Sequence, residues 1–238
     1  MDISGRRALV TGGAHRVGKG IALALAGAGA DLVLHYNRSA GPAEETADEA
    51  RALGSTVELR QADLSDPDSI AALLSDPVDI LVNSAAGFPS DHLLDVSLEQ
   101  WERTIGLNLT APVFLTQAFA RSLPEDRTGA VINVTDWKTE RPYLSPRFSY
   151  TIAKGAIDTF TRVAASELAP RIRVNAVALG VVLPPADAEE GYAERLASQT
   201  PLERVGGVET VAQAVLHFIR NDFITGEIQR LDGGAHLR

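Results

Sequence analysis

Short apolar runs alternate with longer amphipathic or alanine-rich stretches along most of the chain. Arg7-Ala-Leu-Val-Thr11 reads as a buried strand, and a glycine-containing turn leads from it into Val17–Ala28, whose Ala, Leu and Ile favour helix. Asp31–Tyr36 is a second apolar run, Ala43–Leu53 is helix-like, and Thr56–Arg60 alternates as a strand does. Asp66-Pro67 opens another helix with proline in its first turn, and Asp79–Asn83 is a fourth strand ending at a small-residue loop. Helices are expected at Leu98–Leu109 and Val113–Ser122, then strand Ala130–Thr135, helix Tyr150–Leu168 and strand Ile172–Ala178. Helix Val208–Arg220 and strand Glu227–Leu231 close the series. Strands separated by helices need right-handed crossovers, which predicts an α/β, doubly wound, mostly parallel sheet in a single domain spanning 1–238. Gly180–Glu189 is irregular and rich in proline and acid, and the region around 180–205 is expected to act as a substrate lid over the strand ends.

Composition narrows the class. With 45% hydrophobic and 22% charged residues in 238, the chain is neither disordered nor fibrous. Lys plus Arg number 22 against 31 for Asp plus Glu, and the resulting net charge of −9 repels a nucleic-acid backbone. There is no cysteine, so disulfides, thiolate metal sites and cysteine nucleophiles are excluded. The histidines, at 15, 35, 92, 217 and 236, have no metal-ligand spacing, and no metal is expected. Met1–Arg7 does not fit a signal peptide, and Ile21–Ala30 is too short to cross a bilayer. The expected setting is the cytoplasm, with no membrane contact.

Thr11-Gly-Gly-Ala-His-Arg-Val-Gly18 joins the first strand to the first helix, where backbone N–H groups and the helix dipole favour a pyrophosphate. Glycines at 12 and 18 let the backbone approach a phosphate; such turns also serve simply to reverse a chain, but the position in the first βα unit favours a Rossmann-type dinucleotide site. After the second strand stands Asn37-Arg38-Ser39, where an NAD site usually offers a carboxylate. Together with Arg16, this segment suits a 2′-phosphate and therefore NADP(H), although Arg38 also reads as an ordinary solvated arginine. Tyr150 and Lys154 lie four apart in a helical segment, so they share a face, and an ammonium beside the phenol is expected to lower its pKa.

The ordered series Thr11-Gly12 with Gly18, Ala62-Asp63-Leu64, Asn83-Ser84-Ala85, Asn108, Asn133-Val-Thr-Asp136, Tyr150 with Lys154, and Asp232-Gly-Gly234 resembles the short-chain dehydrogenase/reductase family over nearly the whole chain. The resemblance implies that Asp63 and Leu64 flank the adenine and that Asn83, Ser84 and Ala85 line the adenosine side. It also implies cofactor contacts from Val17 and Val182, and a second role for Lys154 on the nicotinamide ribose. Asn108 would kink its helix and anchor a water that relays protons to Lys154. Read outside this ordered series, Asn108 is a helix-terminal cap and Asp63 a turn former.

Departures from the family pattern narrow the reading further. Arg16 replaces the turn's middle glycine, and Asp136 replaces the catalytic serine three residues after Asn133. These residues, with His35-Tyr-Asn-Arg-Ser39, look like the pteridine reductase branch, including the dihydromonapterin reductases. An ionised aspartate repels the alkoxide that develops when a ketone is reduced, whereas it suits a substrate presenting N–H donors. Asp136 also admits a plainer reading, as a loop carboxylate paired with Lys154 or Arg141. Phe88 resembles the aromatic residue that sandwiches a pterin, and Trp137 is a candidate pocket wall. Ala86 replaces the family's usual glycine or serine, and Leu179–Pro184 lacks its proline and threonine. The segment from Asp136 to Tyr150 is one residue longer than the family's, so a bulge is expected there.

The resulting expectation is an NADPH-dependent reductase of a pterin-like small molecule, with Tyr150, Lys154, Asn108 and Asp136 as its catalytic set. A carbonyl or ketoacyl reductase of the same fold and a non-catalytic dinucleotide sensor are the rival readings. The resemblance also implies a homotetramer or dimer with the Tyr150 helix near an interface.

Overall fold

The computed structural model describes residues 1–143, 146–184, 189 and 191–238. Seven strands form one sheet: β1 (Arg7–Val10), β2 (Asp31–Tyr36), β3 (Val57–Gln61), β4 (Ile80–Asn83), β5 (Gly129–Asp136), β6 (Ile172–Leu179) and β7 (Ile228–Leu231). Their order is β3-β2-β1-β4-β5-β6-β7, and every neighbouring pair is parallel. The chain winds outward from β1 in one direction and from β4 in the other, so a crevice opens at their C-terminal ends.

The helices are α1 (Arg16–Gly27), α2 (Ala40–Ala52), α3 (Pro67–Ala72), α4 (Leu98–Ile105), α5 (Ala111–Ser122), α6 (Phe148–Leu168), α7 (Tyr192–Ala197) and α8 (Val208–Arg220). Strand periodicity divides the apolar residues between two cores. Ala8, Val10, Ile80, Val82, Ala130 and Ile132 face Ile21 and Leu25 of α1 and Val215 and Phe218 of α8. Leu9, Leu81 and Val131, which alternate with them, face Leu115 and Phe119 of α5. Burial on both faces explains why these strands read as continuous apolar runs. Each fully buried Leu or Phe contributes about 1.5–3 kcal/mol.

Two elements depart from the sequence expectation. The helix expected over Leu98–Leu109 stops at Ile105, and Gly106–Thr110 forms a π-helical turn that runs directly into α5. Within that turn Asn108 is buried; its Nδ2 donates to Thr104 O at 3.0 Å and its Oδ1 accepts the Gly87 N–H at 3.3 Å. A side chain bonding the ladder and a neighbouring loop together stabilises such a widened turn. Asn108 therefore sits inside a continuous helical run and is not a cap. The short helix α7 has no counterpart in the sequence reading, because its six residues follow an irregular, acidic stretch with little periodicity.

Of the expected lid, residues 185–188 and 190 lie outside the described residues. Among the described residues no helix is long and apolar enough to cross a membrane, and no group of three or more His, Asp or Glu could hold a metal ion.

Candidate active site

A cleft of about 1250 Å³ runs along the C-terminal ends of the central strands. One half is lined by Gly12, Arg16, Val17 and Gly18 of the first turn, and by Asn37, Leu64, Ser84, Ala85 and Val182. The other half is lined by Phe88, Asp136, Trp137, Tyr150 and Lys154. These residues come from distant parts of the chain because every strand delivers its C-terminal end to the same edge. Arg38, Ser39, Asp63, Asn83 and Asn108 are not among the lining residues.

The first turn is closely packed. Gly12 has φ +66°, and a Cβ there would meet Ala85 Cα at 3.0 Å. A Cβ on Gly18 would stand 2.2 Å from Gly12 O, so only glycine leaves the backbone free for a phosphate. Thr11 Oγ1 accepts the N–H groups of Ser84 and Ala85 at 2.9 and 3.0 Å, tying the turn to the loop after β4. Arg16 occupies the left-handed region at φ +50°, and its Nη2 donates to Pro184 O at 2.8 Å across the cleft mouth. This cradle at the N-terminus of α1 fits a dinucleotide pyrophosphate.

The remaining cofactor candidates stand nearby in different roles. Arg38 is exposed and Ser39 precedes α2 without capping it through its side chain. Asp63 Oδ1 accepts from Ser65 N and Oγ at 2.9 and 2.6 Å; these bonds, with the Arg38 charge, hold its carboxyl below the usual range. Asn83 is buried and its Nδ2 donates to Asn133 Oδ1 at 2.9 Å, so its side chain links β4 to β5.

Asp136 is the last residue of β5, and its carboxylate is the hub of the other half. Its Oδ1 accepts the Lys138 N–H at 2.8 Å, while Oδ2 accepts both the Tyr143 hydroxyl at 3.0 Å and the Tyr150 hydroxyl at 3.1 Å. Burial raises the Asp136 pKa, against these three hydrogen bonds and the Lys154 charge. Arg141 instead donates to Arg238 O, so Asp136 is not its partner.

Lys154 is buried one helical turn after Tyr150 on α6, and its Nζ donates to Val134 O at 2.8 Å. Desolvation lowers its pKa to about 8, although the Asp136 and Asp158 charges oppose the shift. Contrary to the expectation from the Tyr150–Lys154 spacing, the Tyr150 pKa is raised. Burial raises the phenol well above its ordinary value, and the Asp136 charge raises it further. The group bonded to the phenol is the acid, while Lys154 Nζ stands 5.8 Å from the ring centroid.

Phe88 is half exposed and meets Tyr150 edge-on, with centroids 4.6 Å apart, while the Arg147 guanidinium lies 4.1 Å from its own ring centroid. Trp137 lines the cleft and carries Lys138 Nζ 4.4 Å from its ring centroid. Sequence reasoning missed Tyr143, Arg147 and Tyr192 and gave no role to His35 or Arg238, all of which line the cleft. The extra residue between Asp136 and Tyr150 was the available signal for Tyr143. No pattern marked Tyr192, and Arg238 stood only at the end of the closing Asp232–Arg238 segment, which resembles the same branch, without a role of its own.

A sequence profile described as enoyl-(acyl carrier protein) reductase matches residues 12–236. The crystal structure of FolM alternative dihydrofolate reductase 1 from Brucella canis, complexed with NADP, is 36% identical with a TM-score of 0.92, covering 100% of this chain and 97% of that one. A blue fluorescent protein from a metagenomic library, in complex with NADPH, is 31% identical with a TM-score of 0.89 and 99% coverage of both chains. The 3-oxoacyl-(acyl-carrier-protein) reductase of Synechocystis sp. is 34% identical over 240 residues, 95% of each chain.

Proposed function

The chain belongs to the short-chain dehydrogenase/reductase family as an NADP(H)-dependent oxidoreductase, and from that premise we propose that it reduces a dihydropterin-like heterocycle to its tetrahydro form. The main support is the buried Asp136 carboxylate bonded to the Tyr150 hydroxyl at 3.1 Å. A carboxylate there disfavours a developing alkoxide but accepts N–H donors such as those on the aminopyrimidine edge of a pterin. The Brucella canis relative named an alternative dihydrofolate reductase adds to that support.

Gly12, Arg16, Val17, Gly18, Asn37, Leu64, Ser84, Ala85 and Val182, which line the cleft, would hold the dinucleotide, with Arg16 and the neighbouring exposed Arg38 on the 2′-phosphate, while Ser39, Asp63 and Asn83, outside the lining, would shape the segments that touch it. NADPH, when bound, supplies the hydride, from nicotinamide C4 to C6 of the C6=N5 imine. Tyr150 donates the proton to N5, for which its hydroxyl must turn from Asp136 to the substrate. Lys154, with a pKa near 8, is mostly an ammonium at neutral pH and orients the ribose. Asn108 supports proton resupply to Lys154, Phe88 offers a flat partner to the substrate ring, and Trp137 closes the pocket wall.

The test is NADPH oxidation by the purified protein with 7,8-dihydrobiopterin set against ketoacyl thioesters and quinones. A site built to bond N–H groups should favour the dihydropterin by about a hundredfold or more in kcat/KM. Carbonyl reduction is the second reading, favoured by the Synechocystis relative, and a ketone preference in the same panel would establish it. A dimer or tetramer also belongs to the proposal. Phe114 of α5 and Ile152 and Val163 of α6 expose apolar surface, and light scattering would measure the assembly.

A further inference from the structure

The two phenols on Asp136 Oδ2 are not equivalent. Tyr150 stands on α6 in line with Lys154, whereas Tyr143 comes from the segment ahead of that helix. A carboxylate has about four acceptor positions. Here Oδ1 takes the Lys138 N–H, and Oδ2 takes both hydroxyls. One position is therefore left while Tyr150 points at the acid, and two are left, one on each oxygen, once Tyr150 turns to a reacting nitrogen.

Resting on the dihydropterin reading, we infer that Tyr143 is a positioning and specificity-determining residue, whose hydroxyl fixes the Asp136 carboxylate against Tyr150 and leaves two acceptor positions for a substrate edge with two N–H donors. The Tyr143 ring is itself held in place. It meets Phe88 edge-on at a centroid distance of 5.8 Å, and Lys138 Nζ lies 5.7 Å from its centroid. The titratable and charged groups around the pair are Lys138 from the turn after β5, Arg147, Tyr150 and Lys154 from the α6 side, and Tyr192 from α7. Tyr143 is a neutral donor in this set: burial and the Asp136 charge push its pKa up, so the hydroxyl keeps its proton over the working range. Its bond stabilises the charged form of the acid, and its removal makes Asp136 easier to protonate.

Tyr143→Phe keeps the ring and deletes the donor. The direct readout is the carboxyl carbon resonance of Asp136, titrated in protein labelled at aspartate, with and without NADP, and assigned by its disappearance in Asp136→Asn. Loss of one hydrogen bond to the anion should move the midpoint up by about one pH unit. The acid limb of kcat/KM for dihydrobiopterin should move with it, through a KM several-fold higher and a kcat changed less than about twofold. Tyr143→Gln, which returns an N–H donor, should bring the midpoint partway back and also serves if the phenylalanine variant does not fold. An unmoved Asp136 midpoint in both variants overturns the inference. A moved midpoint in a protein that reduces no dihydropterin sustains the positioning role and overturns only the substrate assignment.

Discussion

The Gly12 N–H donates to His35 Nδ1 at 3.1 Å, so the cofactor turn rests on an unprotonated ring nitrogen. The proton is then on Nε2, which donates to Ala62 O at 3.1 Å, and both bonds are made only by the neutral imidazole. Burial is the largest influence on His35 and lowers its pKa below 6.5, against the Ala62 bond and the Asp63 charge. Between the lowered value and 6.5 the unfolded chain binds more protons than the folded one. The stability contribution is therefore complete above pH 6.5 and is lost as pH falls. The melting temperature should fall as pH is lowered below 6.5, with NADPH affinity falling in parallel. His35→Gln, with an acceptor and a donor that do not titrate, should flatten both curves. A wild-type melting temperature that is constant over this window would contradict the assignment.

The same turn gives a steric prediction. In Gly18→Ala the methyl would meet Gly12 O at 2.2 Å, a contact that only backbone movement relieves. The cost should be about 2 kcal/mol or more in a denaturant midpoint. NADPH affinity by fluorescence titration should weaken by at least about tenfold, because the displaced amides are those proposed to hold the phosphates. Gly41→Ala is the contrasting change, since its Cβ meets nothing within 4 Å in the first turn of α2. That substitution should raise stability by up to about 1 kcal/mol and leave binding unaltered.

Legibility in the sequence followed the physics of each feature. Strands such as Ile80–Asn83 are buried along their length, so their apolar runs stand out, and their alternation with helical segments constrains the sheet to parallel crossovers. Gly12, Gly18, Tyr150 and Lys154 were legible because local spacing puts each in its place, on one turn or one helix face. The π turn at Asn108 was legible only through family likeness, since its cause is a side-chain bond to Thr104 O and to the Gly87 N–H. Tyr143 and His35 act through partners 7 and 23 positions away in the chain, contacts that no periodicity encodes. The direction of the Tyr150 pKa was misread because helical spacing displays Lys154, whereas the hydroxyl is bonded to Asp136 from another element.

Lys154 couples function to a stability cost. Its folded pKa of about 8 lies below the ordinary 10.5, so between these values the folded protein binds fewer protons than the unfolded chain. Stability attributable to Lys154 is therefore lowest below about pH 8 and recovers as pH rises toward 10.5. Lys154→Met removes the buried ammonium while keeping a flexible apolar stem. The variant should be more stable than wild type at pH 7, by on the order of 1–3 kcal/mol in a denaturant titration after loss of the Val134 O bond. That advantage should shrink as pH approaches 10.5. NADPH-dependent turnover should fall by at least about a hundredfold. A variant less stable than wild type at neutral pH would show that the Val134 bond outweighs desolvation.

Asp136→Ser separates the two substrate readings most directly. The substitution removes the carboxylate oxygen that accepts from both phenols and puts a shorter, uncharged hydroxyl, able to donate, beside the reacting centre. Turnover of a dihydropterin should drop about 10²–10³-fold in kcat/KM, the range found when one preorganised polar contact to a transition state is removed. Ketone reduction should rise, because a serine hydroxyl stabilises the alkoxide that the carboxylate repels. The Tyr150 phenol should also become more acidic, since the Asp136 charge and hydrogen bond are among the causes of its raised pKa. Difference absorbance of the phenolate in an alkaline titration, compared between wild type and variant, reads that shift without any substrate. Full pterin activity in Asp136→Ser would remove the carboxylate from substrate recognition, and the family's carbonyl chemistry would then be the better account of this cleft.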